Sequence, residues 1–277
     1  MTIRTAARRR RARDADTLAT VTVGALSETR GPARSPVVWM RPGHVGYVGP
    51  ELGVDLHAPS VAVLSVGLDG PFVLDTATHG EIHTVSSFAP ARAVHRVNAP
   101  GGWILLLWVD PAGAPAMTIA DEMTAVARPY GLAHRREREL VELCNATVVE
   151  PERIFAAAVP GHTPVTDPRI ARAASTINRN PNQVYRAEAM AADLGLSTTH
   201  FLRLFARQCG TTFRGYQRWT RVVHAIRDAA AGRDLTRCAV DAGFATPSHF
   251  SETFHDMFGM SASGVLRSGV RFDIGFR

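Results

Sequence analysis

The pattern H-F-x-x-x-F-x-x-x-x-G is written twice near the C-terminus of this 277-residue chain: His200, Phe201, Phe205 and Gly210, then His249, Phe250, Phe254 and Gly259. Each copy follows a short alanine-rich segment that closes on glycine, Ala191-Ala192-Asp193-Leu194-Gly195 and Ala239-Val240-Asp241-Ala242-Gly243. Aromatic residues four apart share one helix face. A short helix, a glycine turn and a second helix with such a seam together spell a helix-turn-helix unit. Two units so close in one chain point to DNA. An amphipathic helix pair in a bundle would account for the phenylalanines, but not for the duplication and the local charge.

Residues 1–13 carry six arginines and no acid, residues 14–168 carry 10 arginines and 17 acids, and residues 169–277 carry 15 arginines and 8 acids. A basic C-terminal part beside an acidic middle fits one half that meets nucleic acid and one that does not. All 31 basic residues are arginine, which reads as coding bias of the source. No run of about 18 apolar residues occurs, so no membrane partner is expected. Arg4–Arg13 lacks the apolar stretch of a signal peptide, and residues 1–17 read as a disordered basic arm. Cys144, Cys209 and Cys238 are odd in number and widely spaced, which suits a reducing compartment and buried thiols rather than a disulfide framework or zinc site. A cytoplasmic location follows as an expectation.

Within residues 18–160, Val37–Met40, Val61–Val66, Phe72–Leu74, Ile82–Val85 and Trp103–Val109 read as strands separated by Gly/Pro turns. Short strands at this spacing predict an antiparallel barrel or sandwich. Ile119–Ala127, Leu132–Cys144 and Pro151–Val159 read as helices after it, of the kind that serve a dimer interface. His79, Glu81 and His83 share one strand face, which reads as solvated rather than as a metal site. No metal and no cofactor is expected. His57, His95, Trp39 and Trp108 are the candidates for a small-molecule pocket.

Pro160-Gly161-His162-Thr163-Pro164 reads as a compact linker. Asp167-Pro168 supplies an N-cap and a proline for the first helical position, and Asn180-Pro181 ends that helix. Phe213–Ala231 predicts a connector helix of roughly 28 Å, long enough to hold two recognition helices about one DNA turn apart. On a 100° wheel, Phe201, Leu204 and Phe205 face inward and Thr199, Arg203 and Ala206 outward. In the second copy Phe250, Thr253, Phe254 and Met257 face inward and Ser248, Glu252 and His255 outward. Arginine reads guanine O6 and N7, and glutamate's favourable base role is accepting from cytosine N4.

These segments resemble the DNA-binding domain of the AraC/XylS family of bacterial transcription regulators over residues 168–268. The matching text is Ala191–Phe205, Ala242–Phe254 and Phe258-Gly259-Met260-Ser261-Ala262, with Ala262 where the family usually has proline. The resemblance implies seven helices with two helix-turn-helix units joined by a long helix. It also implies base-facing Thr198, Thr199 and Arg203, matched in the second unit by Pro247, Ser248 and Glu252. Ser197, Arg207 and Thr246 complete the expected DNA-contacting set. Two departures stand out: Glu252 where many members have arginine, and Arg186 where a Ser or Thr cap is usual. The N-terminal half is similar, more distantly, to the family's cupin-like sensor domains, through His57 and Ala89–His95.

The expected fold is therefore α+β and multidomain. It has a cupin-like antiparallel β-barrel with following helices (18–160) and an all-α domain with two helix-turn-helix units (165–277). The expected function is a non-enzymatic, effector-controlled transcription regulator. Its expected partners are double-stranded DNA, a small-molecule effector, RNA polymerase and a second copy of the chain in a homodimer. The alternatives are a metal-dependent cupin enzyme fused to a DNA-binding domain, and a ligand-independent activator whose barrel only dimerises.

Overall fold

The computed structural model describes residues 34–110, 115–161 and 167–275. The expected basic arm, residues 18–33 and residues 162–164 of the Pro160–Pro164 linker lie outside the described residues. The β-rich half begins with β1 (Val37–Arg41), β2 (His44–Pro50), β3 (Val63–Gly67), β4 (Phe72–Thr76), β5 (Gly80–Thr84), β6 (Ser86–Ala89), β7 (His95–Asn98) and β8 (Trp103–Val109). Then come α1 (Pro115–Glu122), β9 (Met123–Ala127), β10 (Tyr130–His134), α2 (Glu137–Cys144) and α3 (Pro151–Ala158). The helical half holds α4 (Pro168–Arg179), α5 (Ala187–Asp193), α6 (Thr198–Cys209), α7 (Phe213–Ala230), α8 (Leu235–Asp241), α9 (Pro247–Phe258) and α10 (Ala262–Arg267), and closes with β11 (Arg271–Ile274).

Among the described residues the strands form two sheets rather than one closed ring: β11-β1-β2-β8-β3-β6-β10-β9, and β5-β4-β7. Alternation along each strand gives the large sheet two apolar faces. Val37 and Trp39 of β1 join Leu64, Leu105 and Leu107 under α1–α3. Val38 and Met40 join Val63, Leu106 and Trp108 on the other face, where Phe72, Leu74 and Val97 of the small sheet also pack. Gly46 is what admits Trp39, because a Cβ at that position would lie 2.0 Å from the indole ring.

The expected helices over Ile119–Ala127 and Leu132–Cys144 are corrected. Only Pro115–Glu122 and Glu137–Cys144 are helical, and a β9–β10 hairpin lies between them, turning at Arg128-Pro129. Pro129 lacks the N–H a continuing helix needs. Gly131 lets β10 press on Met123 of its neighbour, with Met123 Cγ 2.5 Å from where a Cβ would stand. The C-terminal domain is likewise not all-α. β11 pairs in parallel with β1, from Val37↔Arg271 to Met40↔Ile274. Arg41 fixes this return by donating to the Asp273 carboxylate at 3.0 Å and to the Asp273 carbonyl at 3.0 Å, and it reaches Glu152 of α3 at 2.7 Å.

The two helix-turn-helix units have different cores. Ile170, Ala173 and Ile177 of α4 pack with Met190, Phe201, Phe205, Phe213 and Tyr216 as a cluster of the helical half alone. Around the second unit, Trp219, Val222, Ile226, Phe250, Phe254 and Phe258 instead belong to the cluster that fills the interior of the β-rich half. Residues 34–277 accordingly form one compact unit.

Candidate nucleic-acid interface

α5 and α6 make the first unit and α8 and α9 the second, and both second helices begin and end alike. Ser197 Oγ accepts the His200 N–H at 3.3 Å, and Thr246 Oγ1 accepts the His249 N–H at 3.1 Å. Each therefore satisfies an orphan amide of its helix start. Both helices end on a left-handed glycine, Gly210 at φ 63° and Gly259 at φ 68°. α4 starts as expected, with the Asp167 carboxylate accepting the Arg169 N–H at 2.9 Å ahead of Pro168. α5 has Arg186 before it and no side-chain cap.

The faces follow the wheel. Phe201, Leu204 and Phe205 are buried in α6, and Phe250, Thr253, Phe254 and Met257 in α9. Outward in α6 stand the exposed Thr199, Arg203 and Arg207, with Thr198 half-buried and Ala206 partly covered. Outward in α9 stand Pro247, Ser248 and Glu252, all exposed. Glu252 has no ion-pair partner among the described residues, whereas Asp256 one turn on meets Arg218 at 3.6 Å. His255 is turned elsewhere: its Nε2 lies 3.2 Å from the Asp55 carboxylate of the β-rich half.

Between α7, the segment before α5 and α9 runs a groove of about 600 Å³, lined by Arg214, Arg218, Arg221, His249 and Glu252 among others. Arg221 is braced there, donating to the carbonyls of Pro181 at 3.0 Å and Gln183 at 3.2 Å. The DNA-contacting set expected from the sequence omits these arginines. Their i, i+4, i+7 spacing along α7 was the signal for one basic stripe.

α9 is docked on the β-rich half at its C-terminal end. Phe258 meets Trp108 edge-on with ring centroids 5.2 Å apart, and Asp55 N–H donates to the Gly259 carbonyl at 2.8 Å. A Cβ on Gly259 would stand 2.6 Å from the Asp55 carbonyl oxygen and 2.8 Å from His57 Nδ1.

The four pocket candidates are not gathered around one cavity. His57 and His95 do meet, through a backbone bridge and rings 5.1 Å apart. Burial lowers the pKa of both, that of His95 to about 4. Trp108 lines an apolar crevice between the halves, with Tyr47, Val223, Ile226, Phe254 and Phe258. Trp39 lies on the opposite face of the large sheet, under the helices. Among the described residues no three His, Cys, Asp or Glu are grouped so as to hold a metal ion, and His79, Glu81 and His83 are exposed. Burial raises the thiols of Cys144 and Cys209 to about 12, which leaves both as neutral core groups. No helix among the described residues is long and apolar enough to cross a membrane.

A family model described as a helix-turn-helix domain matches residues 190–268. Invasion protein InvF of Salmonella typhi is 33% identical over 73 residues, 26% of this chain, and the Salmonella typhimurium protein aligns equally. The chain spans 34% of the length of these curated relatives. Among solved structures, an apo variant of ToxT from Vibrio cholerae superposes with a TM-score of 0.56 at 13% identity, over 81% of this chain and 97% of ToxT. Wild-type ToxT bound to an unsaturated fatty acid gives 0.54 at 11% identity, over 84% and 99%. At such identities the structural likeness shows the fold alone. Together with the matched domain and two alike helices, it gives the chain a helix-turn-helix domain at residues 190–268 within a ToxT-like fold, in keeping with the resemblance to the AraC/XylS family.

Proposed function

We propose that the protein is a cytoplasmic, non-catalytic regulator that reads duplex DNA with α6 and α9 and answers to a small apolar effector bound between its halves. The observation that carries this reading is the pair of helices whose inward faces are buried while Thr199, Arg203, Ser248 and Glu252 stand exposed at matching positions. Arginine–phosphate contacts supply most of the affinity, and the outward side chains of α6 supply most of the sequence choice. The first unit rests on its own core, so α6 keeps its shape whatever the β-rich half does. The second shares its core with that half, so α9 is the helix an effector can move.

The apolar crevice beside Trp108 is the place for that effector, and the fatty acid held by ToxT supports an apolar one. Its volume is about 50 Å³, against the roughly 300–1,000 Å³ of ordinary ligand sites. A ligand therefore enters by parting α7 and α9 from β2 and β8, and so binds one arrangement of the halves better than another. A homodimer and RNA polymerase complete the proposed assembly. Gel-shift titration of the full chain on duplex DNA, with and without a medium-chain fatty acid, tests the reading. A DNA affinity that the acid changes supports it, and sequence-independent binding indifferent to the acid counts against it.

A further inference from the structure

A second cavity separates the halves at the other end of α7. It holds about 730 Å³ and is lined by His57, Arg92 and Val94 of the β-rich half and by Thr211, Arg214 and Arg218 of the helical half, among others. We infer that this cleft is a binding site for a small anion, a carboxylate or a phosphate, distinct from the apolar crevice.

Four features support an anion. First, the guanidinium groups of Arg92 and Arg214 have no ion-pair partner among the described residues, and that of Arg218 reaches its only such partner, Asp256, at 3.6 Å. Second, Asp256 is the one acid in the lining, so the cations outnumber it. Third, the cleft receives the N-terminus of α7, an 18-residue helix with no acid in its first turn. The first-turn amides of a helix have no intrahelical acceptor and carry the positive end of its dipole; Thr212 Oγ1 caps the Gly215 N–H at 3.0 Å, which leaves those of Phe213 and Arg214 for a ligand. Fourth, Thr211 is 3% exposed and its hydroxyl has no hydrogen-bond partner. Buried hydroxyls are ordinarily paired, so this one is suited to an oxygen of a bound group. It lies against the first turn of α7, 2.8 Å from where a Cβ on Gly215 would stand.

A duplex phosphate fits less well. The walls come from both halves and set Leu56, Val94 and Met257 among the charges, and Thr211 lies too deep for a convex backbone to touch. An anion held by Arg92 on one side and Arg214 and Arg218 on the other ties the two halves together at α7. The inference stands without the effector reading, because it uses no residue of the apolar crevice.

Calorimetric titration of the full chain with inorganic phosphate and with succinate, at constant ionic strength in chloride, tests it. Saturable binding of at least one anion is expected. Arg92→Gln and Arg214→Gln should each weaken it about tenfold or more, the size of a lost charge-assisted contact. Arg153→Gln, which removes an equal charge from α3, should leave it unchanged. Arg92→Lys should restore part of the binding, and thermal melts in chloride should show all variants folded. The absence of saturable heat for either anion would overturn the site. So would unchanged anion binding in both glutamine variants. If those variants instead bind every duplex more weakly with anion binding intact, the arginines are DNA contacts and the site is overturned as well.

Discussion

Arg203 and Glu252 stand two residues past the first phenylalanine of each seam, exposed, and opposite in charge. Arg203→Ala should leave the fold intact and cost roughly 1–3 kcal/mol of discrimination at one base pair. A uniform weakening on all sequences would make Arg203 a phosphate contact instead. Glu252→Ala removes a charge that opposes the phosphate-driven term, so affinity should hold or rise. Paired titrations on one duplex at one salt concentration check both, and a larger loss from Glu252→Ala would make the second unit the main reader. The buried histidines make a separate prediction. Burial holds His44 and His95 at a pKa of about 4, against 6.5 in the unfolded chain. As pH falls from 6.5 towards 4, the unfolded chain takes up protons that the folded chain refuses. Stability is therefore full above 6.5 and falls below it, by at most about 1.4 kcal/mol per pH unit for each histidine. His95→Gln should flatten the slope of the denaturation midpoint between about pH 5 and 6.5. An unchanged slope would show that His95 is not excluded from protonation.

At the scale of elements, the two recognition helices share caps but not neighbours. Gly210 and Gly259 have nearly the same φ, yet nothing lies within 4 Å of a Cβ at Gly210, while the Asp55 backbone crowds one at Gly259. Gly210→Ala should cost roughly 1 kcal/mol for the left-handed backbone alone. Gly259→Ala should cost more, about 2–4 kcal/mol, because the 55–57 segment must also retreat. Thermal melts compare them, and equal losses would contradict the docking of α9. These helices were legible because their determinants are local: Asp167-Pro168 starts α4, and the Phe201/Phe205 seam sets the face of α6. Strands such as Trp103–Val109 were legible from their apolar runs and the Gly/Pro turns between them. β2 was hidden by Gly46, whose reason is the Trp39 ring across the sheet. β11 was hidden because its partner β1 lies far away in sequence, and the β9–β10 hairpin because Ile119–Ala127 and Leu132–Cys144 carry helical spacing.

Across the whole molecule, charge divides the chain where packing does not. The acidic middle and basic C-terminal part were visible in composition, but the core shared by Trp108, Trp219, Ile226 and Phe258 was not, since no single segment encodes it. Nor did the sequence separate Trp39 from Trp108, because which sheet face each occupies depends on strand register. A fragment of residues 165–277 should still bind DNA at low salt through the first unit. It should melt well below the full chain, since each large apolar side chain returned to water forfeits roughly 1.5–3 kcal/mol. Complete loss of DNA binding by a folded fragment would show that the β-rich half is part of the interface. The most direct test of the central claim is selection of bound sequences from a randomised duplex pool by the full chain, at fixed salt, repeated with Arg203→Ala. The wild-type chain should enrich two short elements about 10 base pairs apart, one of which loses its preferred base in the variant. Equal retention of every duplex by the wild-type chain would contradict the account.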